Sequence, residues 1–155
     1  MPKLPRDLYH KATLEIMDKI KYQYQNYGNG KILVNKSGRS IYIEVSGKNL
    51  PYLGGHGEEI FPWETYVPVK KLERIESQAK RYRAEPWIAF CYIILRTEFE
   101  KYFNRTTKID NKQFGLRLIK TETYRQCMKP RSPSWSVMDL PRKDVPNLTI
   151  NLEQI

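Results

Sequence analysis

Ile41-Tyr42-Ile43-Glu44-Val45-Ser46-Gly47-Lys48 is the stretch on which the fold turns. From Ser40 to Ser46 it alternates: Ile41, Ile43 and Val45 point one way, Tyr42, Glu44 and Ser46 the other. Such a segment is a β-strand with an apolar face. Glu44 is the anomaly, because a carboxylate in the middle of a β-branched strand has low strand propensity. It needs a salt bridge, a solvated sheet face or a metal. The second deciding segment is Trp87-Ile88-Ala89-Phe90-Cys91-Tyr92-Ile93-Ile94-Leu95, apolar on both faces and rich in aromatic and β-branched residues. It reads as a central buried strand. Segments 41–46 and 87–95 are expected to be sheet neighbours.

Upstream, Leu8, Ala12, Ile16 and Ile20 recur on one helical face, which predicts a helix over residues 7–22. Gly28-Asn29-Gly30 makes a turn, and Ile32-Leu33-Val34 a short strand. The turn at Lys36-Ser37-Gly38-Arg39 pairs that strand with the next as a hairpin. Downstream, residues 47–67 read as a long loop with Gly54-Gly55-His56-Gly57, Glu58 and Glu59. Pro68 to Arg83 is a helix with Val69, Leu72, Ile75 or Glu76, and Ala79 as its stripe and a surplus of four positive charges. Glu98 to Phe103 is ambiguous between strand and helical turn. Phe114 to Ile119 is a candidate edge strand, and Thr121 to Met128 a short helix with Thr121 as N-cap. Pro130, Pro133, Pro141 and Pro146 mark a Pro-rich C-terminal extension. The expected organisation is one domain over residues 1–128 and an extended arm over 129–155, in which Leu148 to Leu152 can add a final strand.

Composition narrows the partners. The 155 residues are 40% hydrophobic and 28% charged, typical of a globular chain, with a net charge of +10. That excess raises the local concentration of polyanions, so nucleic acid, DNA first, is the expected partner. The basic positions best placed for phosphates are Arg39, Lys70, Lys71, Arg74 and Arg81. The longest apolar run, nine residues, is too short to span a bilayer, so no membrane role is expected. No signal-like apolar segment follows the N-terminus, and Cys91 and Cys127 form no metal or disulfide pattern. A cytoplasmic location is expected. The loop glycines lack the Lys-Ser/Thr of a phosphate-cradling loop, and His10 and His56 have no triad pattern. Tyrosines interleave with basic residues in the first third. Core filling explains most of them better than base stacking, since no single period places them on one face.

The order helix, strand, hairpin, Glu-bearing strand, basic helix, buried strand, with Ile41 to Lys48, Val69 to Tyr82 and Glu85-Pro86-Trp87-Ile88-Ala89-Phe90, resembles the archaeal Holliday-junction resolvases. It is also similar to the wider restriction-endonuclease-like superfamily with its PD-(D/E)XK motif. The resemblance covers roughly residues 7–96 and is one of order and pattern rather than identities. It implies an α+β (or α/β) fold with a central mixed sheet flanked by helices. It also implies a metal-dependent endonuclease acting on double-stranded or branched DNA, working as a homodimer. On that implication Glu44 and Glu15 are catalytic carboxylates that ligate Mg²⁺ or Mn²⁺, and Lys48 assists. Such a metal activates water and stabilises charge on the scissile phosphate.

Two positions depart from the pattern. The family's aspartate belongs on the preceding strand, where Lys31-Ile32-Leu33-Val34-Asn35 has no carboxylate. The motif lysine belongs at 46, where Ser46 stands, with Lys48 two residues on. His56, Glu58 and Glu59 are the nearest alternative donors. Beside the metal reading stands a plain one, with Glu44 paired to Arg39, Lys48 or Arg74 and Glu15 on a solvated helix face. Three functional readings follow: a nuclease, a catalytically inactive nucleic-acid-binding module on the same fold, or a structural protein that lends its arm to a neighbour.

Overall fold

The computed structural model describes residues 6–19, 23–36, 38–50, 52–53, 59–60, 66–97, 100, 103, 105–127, 129–130 and 137–139. Its elements run α1 (Arg6–Lys19), β1 (Tyr24–Gly28), β2 (Lys31–Lys36), β3 (Arg39–Leu50), β4 (Tyr52–Leu53), β5 (Glu59–Ile60), β6 (Tyr66–Pro68), α2 (Val69–Arg81), β7 (Glu85–Ile94), β8 (Thr106–Ile109), β9 (Lys112–Lys120), α3 (Thr121–Cys127), β10 (Lys129–Pro130) and β11 (Val137–Asp139). The main sheet has six strands in the order β1-β2-β3-β7-β9-β8. It is mixed: β3 and β7 run parallel, and the other neighbours antiparallel.

β3 and β7 are the expected neighbours, in unbroken register from Ile41 opposite Glu85 to Leu50 opposite Ile94. The antiparallel hairpins flanking them leave both faces of this pair to be covered by helices. α1 covers one face, where Tyr9, Ala12, Ile16 and Met17 pack on Ile32, Val34, Ile41, Ile43 and Val45 and on Trp87, Ala89 and Cys91. α2 and α3 cover the other, where Leu72, Ile75, Ala79 and Tyr124 meet Leu33, Tyr42, Ile88, Phe90 and Tyr92. The parallel β3-to-β7 crossover passes through α2, as a parallel pair requires. Cys91 is fully buried, and burial pushes its thiol up to about 12 despite a hydrogen bond with Thr13. That is an inert packing thiol, as its place in the apolar run suggested.

Several sequence expectations change. The strand at 40–46 continues to Leu50, because β7 supplies ten consecutive partners, so the expected loop begins later than residue 47. β1 pairs with β2 through a turn in which Gly28, Asn29 and Gly30 all have positive φ. The segment Phe114 to Ile119 is not an edge: β9 lies between β7 and β8. The missed signal is the Asp110-Asn111 pair, both in left-handed conformation, which folds β8 back onto β9. Thr121 is the first residue of α3, and its buried hydroxyl makes no hydrogen bond, so it is not acting as an N-cap. In the C-terminal arm, β10 and β11 pair antiparallel and continue onto β6 as a small sheet. Ile20, His56, Glu58, the Glu98–Tyr102 question except Glu100, and Leu148 to Leu152 lie outside the described residues. Among the described residues, no helix is long and apolar enough to cross a membrane.

Gly47 shows why the α1 face tolerates no extra atom. A Cβ there would meet the Tyr9 ring at 2.5 Å, so the ring lies flat against bare strand backbone. Gly47→Ala should lower stability by about 1–3 kcal/mol through overpacking. Urea unfolding followed by circular dichroism checks this, and an unchanged midpoint would mean that α1 is not docked through Tyr9.

Candidate functional site

Glu44 sits at the centre of β3 and is 3% exposed. Alternation puts it on the same face as Tyr42, the face that α2 covers. Both carboxylate oxygens are engaged. Arg74 of α2 donates from Nη2 to Oε1 at 2.8 Å, and the Tyr42 hydroxyl donates to Oε2 at 2.9 Å. Lys31 stands directly opposite on β2, the strand on which the resemblance asks for an aspartate. Lys71 reaches the same strand, its Nζ 3.4 Å from the Val45 carbonyl oxygen. A buried carboxylate survives in a low-dielectric interior when it is paired and hydrogen-bonded, and Glu44 is both. Of the pairings open in the sequence, the structure selects Arg74.

The geometry does not bring Glu15 to Glu44. Glu15 is on α1, which covers the opposite face of the sheet, and its Oε2 accepts a hydrogen bond from Thr107 of β8 at 3.0 Å. β7 and β9 separate β3 from β8. The expected metal pair is thus divided by the full thickness of the sheet, because Glu44 and the α1-facing residues Ile43 and Val45 alternate along one strand. The backbone of Lys48 continues β3 opposite Tyr92 and keeps the alternation parity of Glu44; its side chain lies outside the described residues. Among the described residues no group of three or more His, Cys, Asp or Glu side chains could hold a metal ion. A divalent cation asks for several free oxygen ligands. Here one carboxylate is saturated by a guanidinium and a phenol, so Mg²⁺ or Mn²⁺ does not fit these residues.

The basic positions fall into two sets. Lys70, Arg74 and Arg81 recur at i, i+4 and i+11 along α2, a single stripe opposite the buried Leu72, Ile75 and Ala79. Lys70 and Arg81 are exposed, and the Arg74 side chain is 48% exposed although its guanidinium is anchored on Glu44. Lys71 flanks this stripe on the β3 side. Arg39 lies apart, at the start of β3, and forms an ion pair with Glu85 at 2.6 Å. Burial alone would raise the Glu85 carboxyl. Hydrogen bonds from Arg39 and Trp87, with the charges of Arg39 and Lys120, outweigh it and hold the group below its ordinary value. On the α3 side of α2, Glu76 is held bidentate by Arg125, with contacts of 2.7 and 2.9 Å. α2 is thus fixed on both flanks while its outer stripe stays cationic.

No family model matches the chain, and no curated protein matches it in sequence. Among solved structures it is similar to Hjc, a Holliday junction resolvase from Archaeoglobus fulgidus, with 10% sequence identity and a TM-score of 0.54. The match covers 96% of this chain and 93% of that one. The shared feature is the fold, a mixed sheet flanked by helices.

The pair has an asymmetry that mutation can expose. Arg74→Met leaves a buried carboxylate without its cation and should cost about 3 kcal/mol. Glu44→Gln returns a half-exposed guanidinium to water and should cost about 1 kcal/mol. Equal losses in urea unfolding would show that Glu44 is not the dependent partner.

Tyr42 supplies a second test. Burial first, and then the Glu44 charge, push its phenol well above the ordinary 10.0. The unfolded chain releases that proton at its ordinary value while the folded chain keeps it. The stability tied to Tyr42 is therefore complete below pH 10.0 and is lost as pH rises beyond it. Between about pH 9 and pH 11 the wild type should lose more stability than Tyr42→Phe; parallel loss in the two would remove Tyr42 as the cause.

Proposed function

We propose that this chain is a DNA-binding protein that holds backbone phosphates along the outer stripe of α2. The observation that carries the reading is the placement of Lys70, Arg74 and Arg81 on one face of a helix whose opposite face is buried in the sheet. Phosphates spaced along a strand are matched by cations spaced along a rigid rod, and the net charge of +10 supplies the long-range attraction. Lys71 adds to this surface beside β3. Glu44 acts through Arg74: it neutralises the guanidinium's buried side and fixes its direction, leaving the remaining N–H donors for a phosphate oxygen. It is a positioning residue. Arg39, tied to Glu85 away from the stripe, contributes less.

A second reading, metal-dependent cleavage of branched DNA, is favoured by the likeness to the Archaeoglobus resolvase and by the place of Glu44 on β3. It requires carboxylates that Glu15 does not supply and the release of Glu44 from Arg74. The resemblance read from the sequence also implies a two-fold dimer, which would suit a four-way junction and present two α2 stripes to it.

One experiment separates the two. Four-way-junction, duplex and single-stranded DNA are incubated with the protein in Mg²⁺, Mn²⁺ or EDTA, and gel shift and cleavage are scored independently. A shift in EDTA without cleavage in either metal is expected. Metal-dependent cleavage abolished by Glu44→Ala would overturn the binding-only assignment. Lys70→Gln combined with Arg81→Gln should weaken duplex binding on all sequences alike and reduce the slope of log K against log salt by roughly two. An unchanged slope would move the interface off α2.

A further inference from the structure

Three tyrosines form a column that runs from the core to the surface. The Tyr42 ring, fully buried, stacks on Tyr82 with centroids 5.6 Å apart and planes 22° apart. Tyr82 stacks in turn on Tyr27, at 5.3 Å and 10°. Tyr82 is 40% exposed and Tyr27 43%. Aromatic contacts in the two cores are different. Tyr9 meets Phe114 edge-on at 86°, and the rings around Phe90, Tyr92, Phe103 and Tyr124 tilt by 40–48°. Those angles are ordinary core packing. Near-parallel rings at the surface are not needed to fill a core, and they leave large apolar faces in water.

Two arginines flank the middle ring of the column in the chain. Tyr82 closes the C-terminus of α2, between exposed Arg81 and Arg83. Tyr27 sits at the irregular position of the β1–β2 ladder, beside the pair formed by Gly28 and Lys31. Arg83 adds an independent observation. It occupies the left-handed conformation, φ 53, just past the helix end, where its N–H donates to the Lys80 carbonyl and that of Ala84 to the Ala79 carbonyl. That is the place where glycine is favoured, because a Cβ is strained there. An arginine held at a glycine site gives up stability for its side chain, the trade expected of a functional position.

We propose that the Tyr42–Tyr82–Tyr27 column is a stacking platform for an unpaired base of a DNA strand, with Arg81 and Arg83 holding the flanking phosphates. This rests on the DNA-binding reading above and adds a preference for unpaired over paired DNA. A base stacks on tyrosine whatever its identity. Rings already ordered by Tyr42 lose little freedom when a base is added to the outer one. A column of parallel rings ends in a flat face of the shape a base needs, which tilted rings do not offer.

The test uses the full chain and a single-stranded oligothymidine carrying one 2-aminopurine, beside a duplex of matching length. Stacking quenches 2-aminopurine, so wild type should quench it on binding. Tyr27→Ala should weaken single-strand binding about 5- to 100-fold and relieve the quench, and Tyr27→Phe should retain both. Duplex binding should change less than about twofold, since phosphate contacts carry it. Arg83→Gly should melt at the same or a higher temperature, yet lower the single-strand salt slope by about 0.7, the value for one phosphate. If Tyr27→Ala weakens duplex and single strand equally, or wild type binds without quenching, the platform is wrong while the α2 interface stands. If wild type binds neither DNA, both assignments fall. A lower melting temperature in Arg83→Gly would show that the arginine serves the fold and would remove it from the platform.

Discussion

The ten-pair parallel register between β3 and β7 is the constraint to which everything else answers. A parallel pair cannot be closed by a tight turn, so the chain must leave β3, cross a face of the sheet as α2 and return. With its two faces covered by α1 and α2, the pair takes apolar side chains on both sides, and a polar residue in it needs a partner from a helix. Glu44 is that residue and α2 supplies Arg74. The helix that the topology forces onto this face is thereby also tied to β3 through the buried carboxylate.

Much of this was legible in the residues. Period-two alternation in Ile41 to Ser46 placed Glu44 with Tyr42. The two-sided apolar run at Trp87 to Leu95 marked the central strand, one residue past its end at Ile94, and the stripe Leu72, Ile75, Ala79 marked the buried side of α2. Local patterning says nothing about which face of the sheet each helix takes. That face is set by long-range chain crossing, and it separates Glu15 from Glu44. Strand β8 was missed for a related reason: Thr106 to Ile109 is short and mixed in polarity, and its evidence is the left-handed Asp110-Asn111 turn, a conformational feature with a weak sequence mark. The tyrosine column was equally hidden. Tyr27, Tyr42 and Tyr82 share no period, because they come from β1, β3 and the end of α2 and meet only once the sheet is assembled.

The surroundings of Glu44 differ from those of a carboxylate that ligates a metal. In a metal site, neighbouring carboxylates repel and a cation pulls them together. In this chain, Arg74 and the Tyr42 hydroxyl engage Glu44 instead, so the charge of that carboxylate is answered by the protein itself. The charge left over points outward on α2, toward solvent and any polyanion there.

The two borders of the main sheet bear on how copies of the chain can meet. Among the described residues the sheet ends at β1 and β8, strands of five and four residues. β1 loses its ladder spacing between Asn26 and Gly28, and β8 carries an exposed lysine, Lys108. Short, irregular or lysine-bearing borders are poor templates for backbone pairing with another molecule. Growth of the main sheet from one copy into the next is therefore discouraged at both of its described borders, which keeps that sheet finite.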